Sequence, residues 1–357
     1  SEIDMPGEWY IDRKNGKLYF WPPADTSKNE VIVSTLNMPV VSLKDVSNMA
    51  LYNLTVEGTW KDCVNIDGGE NNLVAGCTIR NAGQWGVKII SGWGHAVVGC
   101  DLYDLGEGGI SLAESRDYHI GYAAAFENRR KLIPNRFLAE NNHIYRFNRL
   151  CGGNRPAIKL EGIGQRVSHN LINDCPHYGI SISSNNHIIE FNDIHDIVAH
   201  SRELGAIYTW DIPQAMTYRG NILKNNFIHH VTGHFSPNDS HGVRAVHIDG
   251  LSSNLTLSGN VLYRTNGMSS SAPDCRFENN VFVDCFPGIS QGNRSNIVEA
   301  ENKLTQSGIN AVRAWRKFDY RMPPWSTRYP QLLIALEKEK RPLGWPRNIT
   351  IERNIGV

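Results

Sequence analysis

The chain reads as an all-β protein, a parallel β-helix (solenoid) with an N-terminal hairpin and a mixed C-terminal capping segment. Three observations predict this class: a turn-rich composition, one motif that recurs eight times, and a second strand column between its copies. The 357 residues include 32 glycines and many Asn, Asp and Ser, the residues that place tight turns between short strands.

The motif copies are "AGCTIRN" (75–81), "VGCDLYD" (98–104), "ENNHIYR" (140–146), "SHNLIND" (168–174), "EFNDIHD" (190–196), "KNNFIHH" (224–230), "SGNVLYR" (258–264) and "ENNVFVD" (278–284). Their third position reads Cys77, Cys100, Asn142, Asn170, Asn192, Asn226, Asn260, Asn280, and their fifth is always apolar. The second column runs "VNID" (64–67), "VKII" (87–90), "ISLAE" (110–114), "IKLE" (158–161), "ISIS" (180–183), "IYTWD" (207–211), "VHID" (246–249) and "ISQ" (289–291). Positions one and three are mostly apolar and two and four mostly polar, the period-2 signature of a strand buried on one face. Helical periodicity is confined to "YPQLLIALEKEK" (329–340). Two or three strands per coil of roughly 22 residues, without helices, fit a parallel β-helix better than a leucine-rich repeat or a propeller. Stacked coils bring equivalent residues to about 4.8 Å, so each column asparagine can bond those above and below it. That reading makes the asparagines a structural ladder and the two cysteines small buried fillers.

Expected limits are 1–30 for the hairpin cap, 31–305 for the β-helix and 306–357 for the C-terminal cap with a short helix and a last coil. In "GEWYIDRKNGKLYFWPP" (7–23), alternating strands flank "RKNG", a hairpin signal. Solenoid ends need covering, hence the capping expectation for both termini.

Charge balances at 36 basic against 36 acidic residues, which predicts neither a nucleic-acid nor a membrane partner. No apolar run approaches the roughly 18–20 residues of a membrane span, and "SEIDMPGEWY" does not read as a signal peptide. Seven cysteines without a CxxC pair predict neither a disulfide framework nor a zinc ribbon. No metal ligand set is expected.

Register turns the second column into a surface. His247 falls beside Tyr208, Asp249 beside Trp210, and Lys159 and Glu161 lie on the same face further back. The loops entering these strands add Arg155, His177, Glu203, His241 and Arg244, with Asp211 just past Trp210. The inserts 115–140 and 232–243 are placed to wall a groove there. Acids, a histidine and aromatics on one groove suit a sugar chain, whose ring faces stack on Trp or Tyr. Glycoside hydrolysis needs two carboxylates roughly 5–5.5 Å apart for retention or 6.5–9.5 Å for inversion. Asp249 pairs with Glu203 or with Asp211, and the spacing leaves that choice open. The competing reading is that each acid caps a turn or pairs with an arginine.

On "GEWYIDRKNGKLYFWPP", "VNIDGGENNLVAGCTIRNAG", "DCPHYGI", "EFNDIHD", "ELGAIYTW" and "VHIDG", the chain resembles the pectate-lyase-like superfamily of right-handed parallel β-helices. Within it, the chain is similar to bacterial β-helix glycoside hydrolases, those of glycoside hydrolase family 141 and their relatives. The resemblance implies Glu203 and Asp249 as the catalytic acids, although Gly250 stands where such relatives carry a second aspartate. It also implies a secreted or periplasmic protein. Because relatives carry a long segment before "GEWY", it implies a partner N-terminal half, or a shortened homologue; a homo-oligomer is the other partner arrangement expected.

The leading expectation is therefore a glycoside hydrolase acting on a complex glycan, with no cofactor. Asp249 with Glu203 or Asp211 would react, and His247, His177, Lys159, Glu161, Trp210, Tyr208, Arg155, His241 and Arg244 would bind substrate. A lyase or epimerase would instead use Lys159 or His247 as base, with Arg155, Arg244 or Ca²⁺ neutralising a uronate. A non-catalytic glycan-binding β-helix is the third expectation.

Overall fold

Each coil of the repeat contributes short strands that pair in parallel with their equivalents one coil on, as the two sequence columns require. The computed structural model describes residues 3–113, 122–210, 216–231, 233, 242–292, 309, 315, 317–337 and 345–357. Asp211, His241 and most of the insert 232–243 lie outside the described residues.

Residues Ser1–Thr35 form one unit. Within it Trp9–Asp12 and Lys17–Phe20 pair antiparallel, Trp9 opposite Phe20 and Asp12 opposite Lys17. The turn closes because Oδ1 of Asp12 accepts the backbone N–H groups of Lys14 and Asn15 at 3.0 and 3.1 Å. The "RKNG" hairpin thus forms as the sequence predicts.

Leu36–Val357 form the second unit, built on three parallel sheets of ten strands each among the described residues. The first sheet runs from Val41–Lys44 to Ile289–Gln291 and carries the second sequence column. A second sheet runs from Ala50–Tyr52 to Thr350–Glu352, and a third from Thr55–Val56 to Ile355–Gly356. The last strands of these two sheets lie at Thr350–Glu352 and Ile355–Gly356.

Inside the coils, like residues stack on like. Val64, Val87, Ile110, Ile158, Ile180, Ile207, Val246 and Met268 form one buried file of the first sheet. Each such side chain contributes roughly 1.5–3 kcal/mol of burial, which a charge at any one position would forfeit.

The asparagine column is the ladder expected. Nδ2 of Asn142 donates to Oδ1 of Asn170 at 2.9 Å, and the series continues through Asn192, Asn226, Asn260, Asn280 and Asn354 at 2.9–3.0 Å. Each Oδ1 also accepts the backbone N–H of the residue one coil earlier, as Asn192 Oδ1 does from Asn170 at 3.0 Å. Cys77 and Cys100 continue the column as buried free thiols. The residue before each ladder position, from Gly76 to Asn279, has φ between +55° and +65°. Gly or Asn holds most of these corners because both tolerate that region. His169 and Phe191 occupy it too, and their rings stack at 5.0 Å.

A second internal column is not evident from the motif alignment. Nδ1 of His95 accepts the N–H of Asn72 at 3.1 Å, and Nδ1 of His187 accepts that of Gln165 at 3.2 Å. Oδ1 of Asn221 accepts the N–H of His187 at 2.9 Å. Histidine here replaces an amide as the acceptor at a bend, so burial pushes His187 down to about 4.

Among the described residues, helix is not confined to the expected segment. Tyr122–Lys131 lies within the insert 115–140, and Trp325–Arg328 precedes the expected helix, which spans Pro330–Glu337. "YAAAFENRRK" favours helix through intrinsic propensity rather than an apolar stripe, so a period search passes over it. Arg129 reaches Asn185 Oδ1 at 3.0 Å and Thr217 Oγ1 at 2.7 Å, holding this helix at the C-terminal end of a first-sheet strand. Trp325 donates to the Arg130 carbonyl at 3.0 Å, and the Tyr329 hydroxyl to Asn186 Oδ1 at 2.9 Å. The C-terminal helices therefore pack on the flank of the coils around a small core of Met216, Leu251, Phe318, Trp325 and Leu332. Among the described residues no helix is long and apolar enough to cross a membrane.

Candidate functional site

On the first sheet, the predicted register holds. Tyr208 pairs with His247 and Trp210 with Asp249, while Ser181 pairs with both Lys159 and Tyr208. Alternation turns the neighbouring Ile207, Thr209, Val246 and Ile248 into the core, which leaves Tyr208 and His247 facing outward.

Asp249 ends its strand, 9% exposed, and both of its oxygens accept. The Tyr208 hydroxyl donates to Oδ2 at 3.1 Å, and the backbone N–H of Gly250 donates to Oδ1 at 2.7 Å. Gly250 leaves the strand at φ +59°, so the amide turns back onto the preceding carboxylate. That conformation favours glycine at this position. The His247 ring stands edge-on to Tyr208 at 5.6 Å, and Trp210, 45% exposed, sits one strand from Asp249.

Tyr208 is held from its other side by Tyr178, the ring centroids 5.5 Å apart and nearly parallel. Strict alternation would bury Tyr178 as it buries Ile180, and a corner at Gly179 intervenes. A Cβ at Gly179 would meet Ile197, Ala206 and Ile172 at 3.1–3.3 Å, so this position also faces inward, and Tyr178, only 7% exposed, is buried where its ring reaches Tyr208. His177 leans on Tyr178 at 4.4 Å, and its Nδ1 accepts the Asn154 N–H at 3.3 Å. Burial drives the His177 imidazole down to about 4, making it neutral near pH 7, and pushes the Tyr178 phenol up to about 12.

Further along, Lys159 and Glu161 pair with each other at 2.6 Å. Arg155 pairs with Glu107 at 2.9 Å on the entry edge of the same sheet. Three coil steps separate Lys159 from His247, about 14 Å at the strand spacing. The candidate residues thus form two clusters: Tyr178, Tyr208, His247, Asp249 and Trp210 in one, and Lys159 with Glu161 in the other. Glu203 is exposed in the turn before Gly205–Trp210, and Arg244 opens the strand that Asp249 closes, bonded to the Gly242 carbonyl.

Sequence reasoning missed Tyr178, although it adjoins His177 in "DCPHYG". It also missed Asp62, a buried acid whose Oδ1 accepts the Trp85 N–H at 3.0 Å. Burial raises the Asp62 carboxyl above its usual range, against the pull of Lys88. Both lie in the corner before a strand, where period-2 counting gives no direction.

Stacked parallel coils with one polar, aromatic-bearing sheet define a parallel β-solenoid protein. The family model described as "Right handed beta helix region" matches residues 39–194 and 156–320, and the chain belongs to that family. Among solved structures, one titled "Glycoside hydrolase" superposes with a TM-score of 0.57 at 16% identity. The match covers 81% of this chain and 56% of that one, so the chain spans little more than half of that protein's length. At that identity the likeness is one of fold. No curated protein matches the sequence.

Proposed function

We propose that the chain acts on glycans, and that it is a glycoside hydrolase whose reacting centre includes Asp249. The observation that carries this is the Asp249 carboxylate, fixed at a strand end with Tyr208 O–H and Gly250 N–H on its two oxygens. A carboxylate whose oxygens both accept is arranged as an anionic base or nucleophile rather than as a proton donor. Glu203 or Asp211 supplies the acid. Trp210 offers an exposed ring face for apolar sugar faces, Tyr208 is braced by the buried Tyr178, and His247 and His177 orient hydroxyls. Lys159 and Glu161, about 14 Å away, would contact a more distant unit of the same chain, which favours an extended glycan over a single sugar. The fold likeness to a glycoside hydrolase supports the reading, as does the placement of aromatics and an acid on one sheet face. A secreted or periplasmic setting, where such polymers occur, goes with it.

The test is mass spectrometry of products after incubation with neutral, uronic and fucosylated glycans, for the native protein and Asp249→Asn. Fragments that gain one water with the native protein alone support hydrolysis at Asp249. Unsaturated fragments replace it by elimination with Lys159 or His247 as base. Retention of a glycan without any product makes the face a binding surface.

A further inference from the structure

The third sheet carries an outward cluster unrelated to the first-sheet site. Strands Asp193–His195 and Phe227–His229 pair with Asp193 beside Phe227 and His195 beside His229. Ile194 and Ile228 point into the core, so Asp193, His195 and His229 share the outer face. The two imidazoles stack at 4.7 Å, and His229 Nε2 lies 3.0 Å from Asp193 Oδ1. One donor atom from each of the three residues falls within 4.8 Å of the others.

We infer that Asp193, His195 and His229 form a binding site for a divalent transition-metal ion of the Zn²⁺ type. Two atoms bonded tetrahedrally to one Zn²⁺ at about 2.0–2.1 Å lie about 3.3 Å apart, so side-chain rotation alone closes the site. Imidazole nitrogens with one carboxylate suit Zn²⁺, Cu²⁺ or Ni²⁺, whereas Ca²⁺ and Mg²⁺ demand oxygen ligands. The surroundings fit a ligand role. Nδ1 of His195 lies 2.7 Å from Asp196 Oδ2, an outer carboxylate that holds the ring and leaves Nε2 for the metal. Nδ1 of His229 lies 2.7 Å from Nδ1 of His230, which can donate or accept. With His230 donating, His229 Nε2–H bonds Asp193; with His230 accepting, Nε2 and the carboxylate both present lone pairs to a cation. Phe227 stacks on His229 at 4.2 Å and Tyr263 stands edge-on to His230, screening one side from water. Three protein ligands leave a fourth position open.

This inference is independent of the glycan reading. Metal-free protein is titrated with ZnCl₂ by calorimetry, with CaCl₂ as the hard-cation control. The native chain is expected to take up one Zn²⁺, with no uptake of Ca²⁺ at these residues. His229→Ala and Asp193→Asn should each weaken Zn²⁺ binding at least ~10-fold. The Asp193 side chain is about half exposed and outside the core, so its amide variant is expected to keep the fold, as circular dichroism will check. Absence of Zn²⁺ uptake by the native chain, or uptake undiminished in either variant, overturns the assignment.

Discussion

The Tyr208 hydroxyl donates to Oδ2 of Asp249 at 3.1 Å, across the junction of two adjacent coils. Tyr208 is itself packed against Tyr178. The acid is therefore oriented by a side chain whose own position is set by packing. Tyr208→Phe keeps that packing and removes one hydrogen bond to a charged group, about 1.5–3 kcal/mol. On the glycan that is turned over, kcat should fall roughly 10–150-fold with KM little changed. A kcat equal to that of the native protein would show that the bond does not serve the reaction.

Trp210 is the exposed aromatic of the cluster. Trp210→Ala should weaken binding of an oligosaccharide about 10-fold through lost stacking, while Trp210→Phe retains most of it. Calorimetric titration with a fragment of the substrate distinguishes the two, and equal affinities for all three proteins would move the sugar elsewhere.

Acid should destabilise the coils through His187. The group is fully buried and its folded pKa is depressed to about 4, against about 6.5 when unfolded. Above pH 6.5 neither state holds the proton. Between about 6.5 and 4 the unfolded chain takes up a proton that the native one refuses, so stability falls by up to about 3 kcal/mol. His187→Gln, whose amide oxygen can still accept the Gln165 N–H, should flatten the decline of urea midpoints over that window. An unchanged slope would assign the acid sensitivity to other groups.

The ladder should be costly to interrupt. Asn226→Ala removes the acceptor for Asn192 Nδ2 and for the Asn192 N–H, and the donor to the Ile189 carbonyl. At about 1–3 kcal/mol per stranded buried group, the loss should approach 3–5 kcal/mol. Denaturant unfolding measures it, and a loss below about 1 kcal/mol would mean that water replaces the amide.

The repeat was legible because one physical constraint acts on every coil alike. Each bend must satisfy the same backbone groups, and each strand must bury the same face, so Asn226 resembles Asn192 and Val246 resembles Ile207. That self-similarity exposes register from sequence alone, and register placed Tyr208 beside His247 and Trp210 beside Asp249. The helix Tyr122–Lys131 was not legible, since an insert has no counterpart in other coils and this one lacks an apolar stripe.

Sequence by itself determined the solenoid, its ladder, and the outer face that carries Asp249 and Tyr208, because periodic burial writes itself into periodic residue types. Only the tertiary structure decided which of those residues meet. The corner at Gly179 brings the buried Tyr178 against Tyr208, Gly250 turns its N–H back onto Asp249, and Lys159 closes on Glu161 rather than reaching the acid. Corners and side-chain rotations set these contacts, and neither leaves a period in the chain.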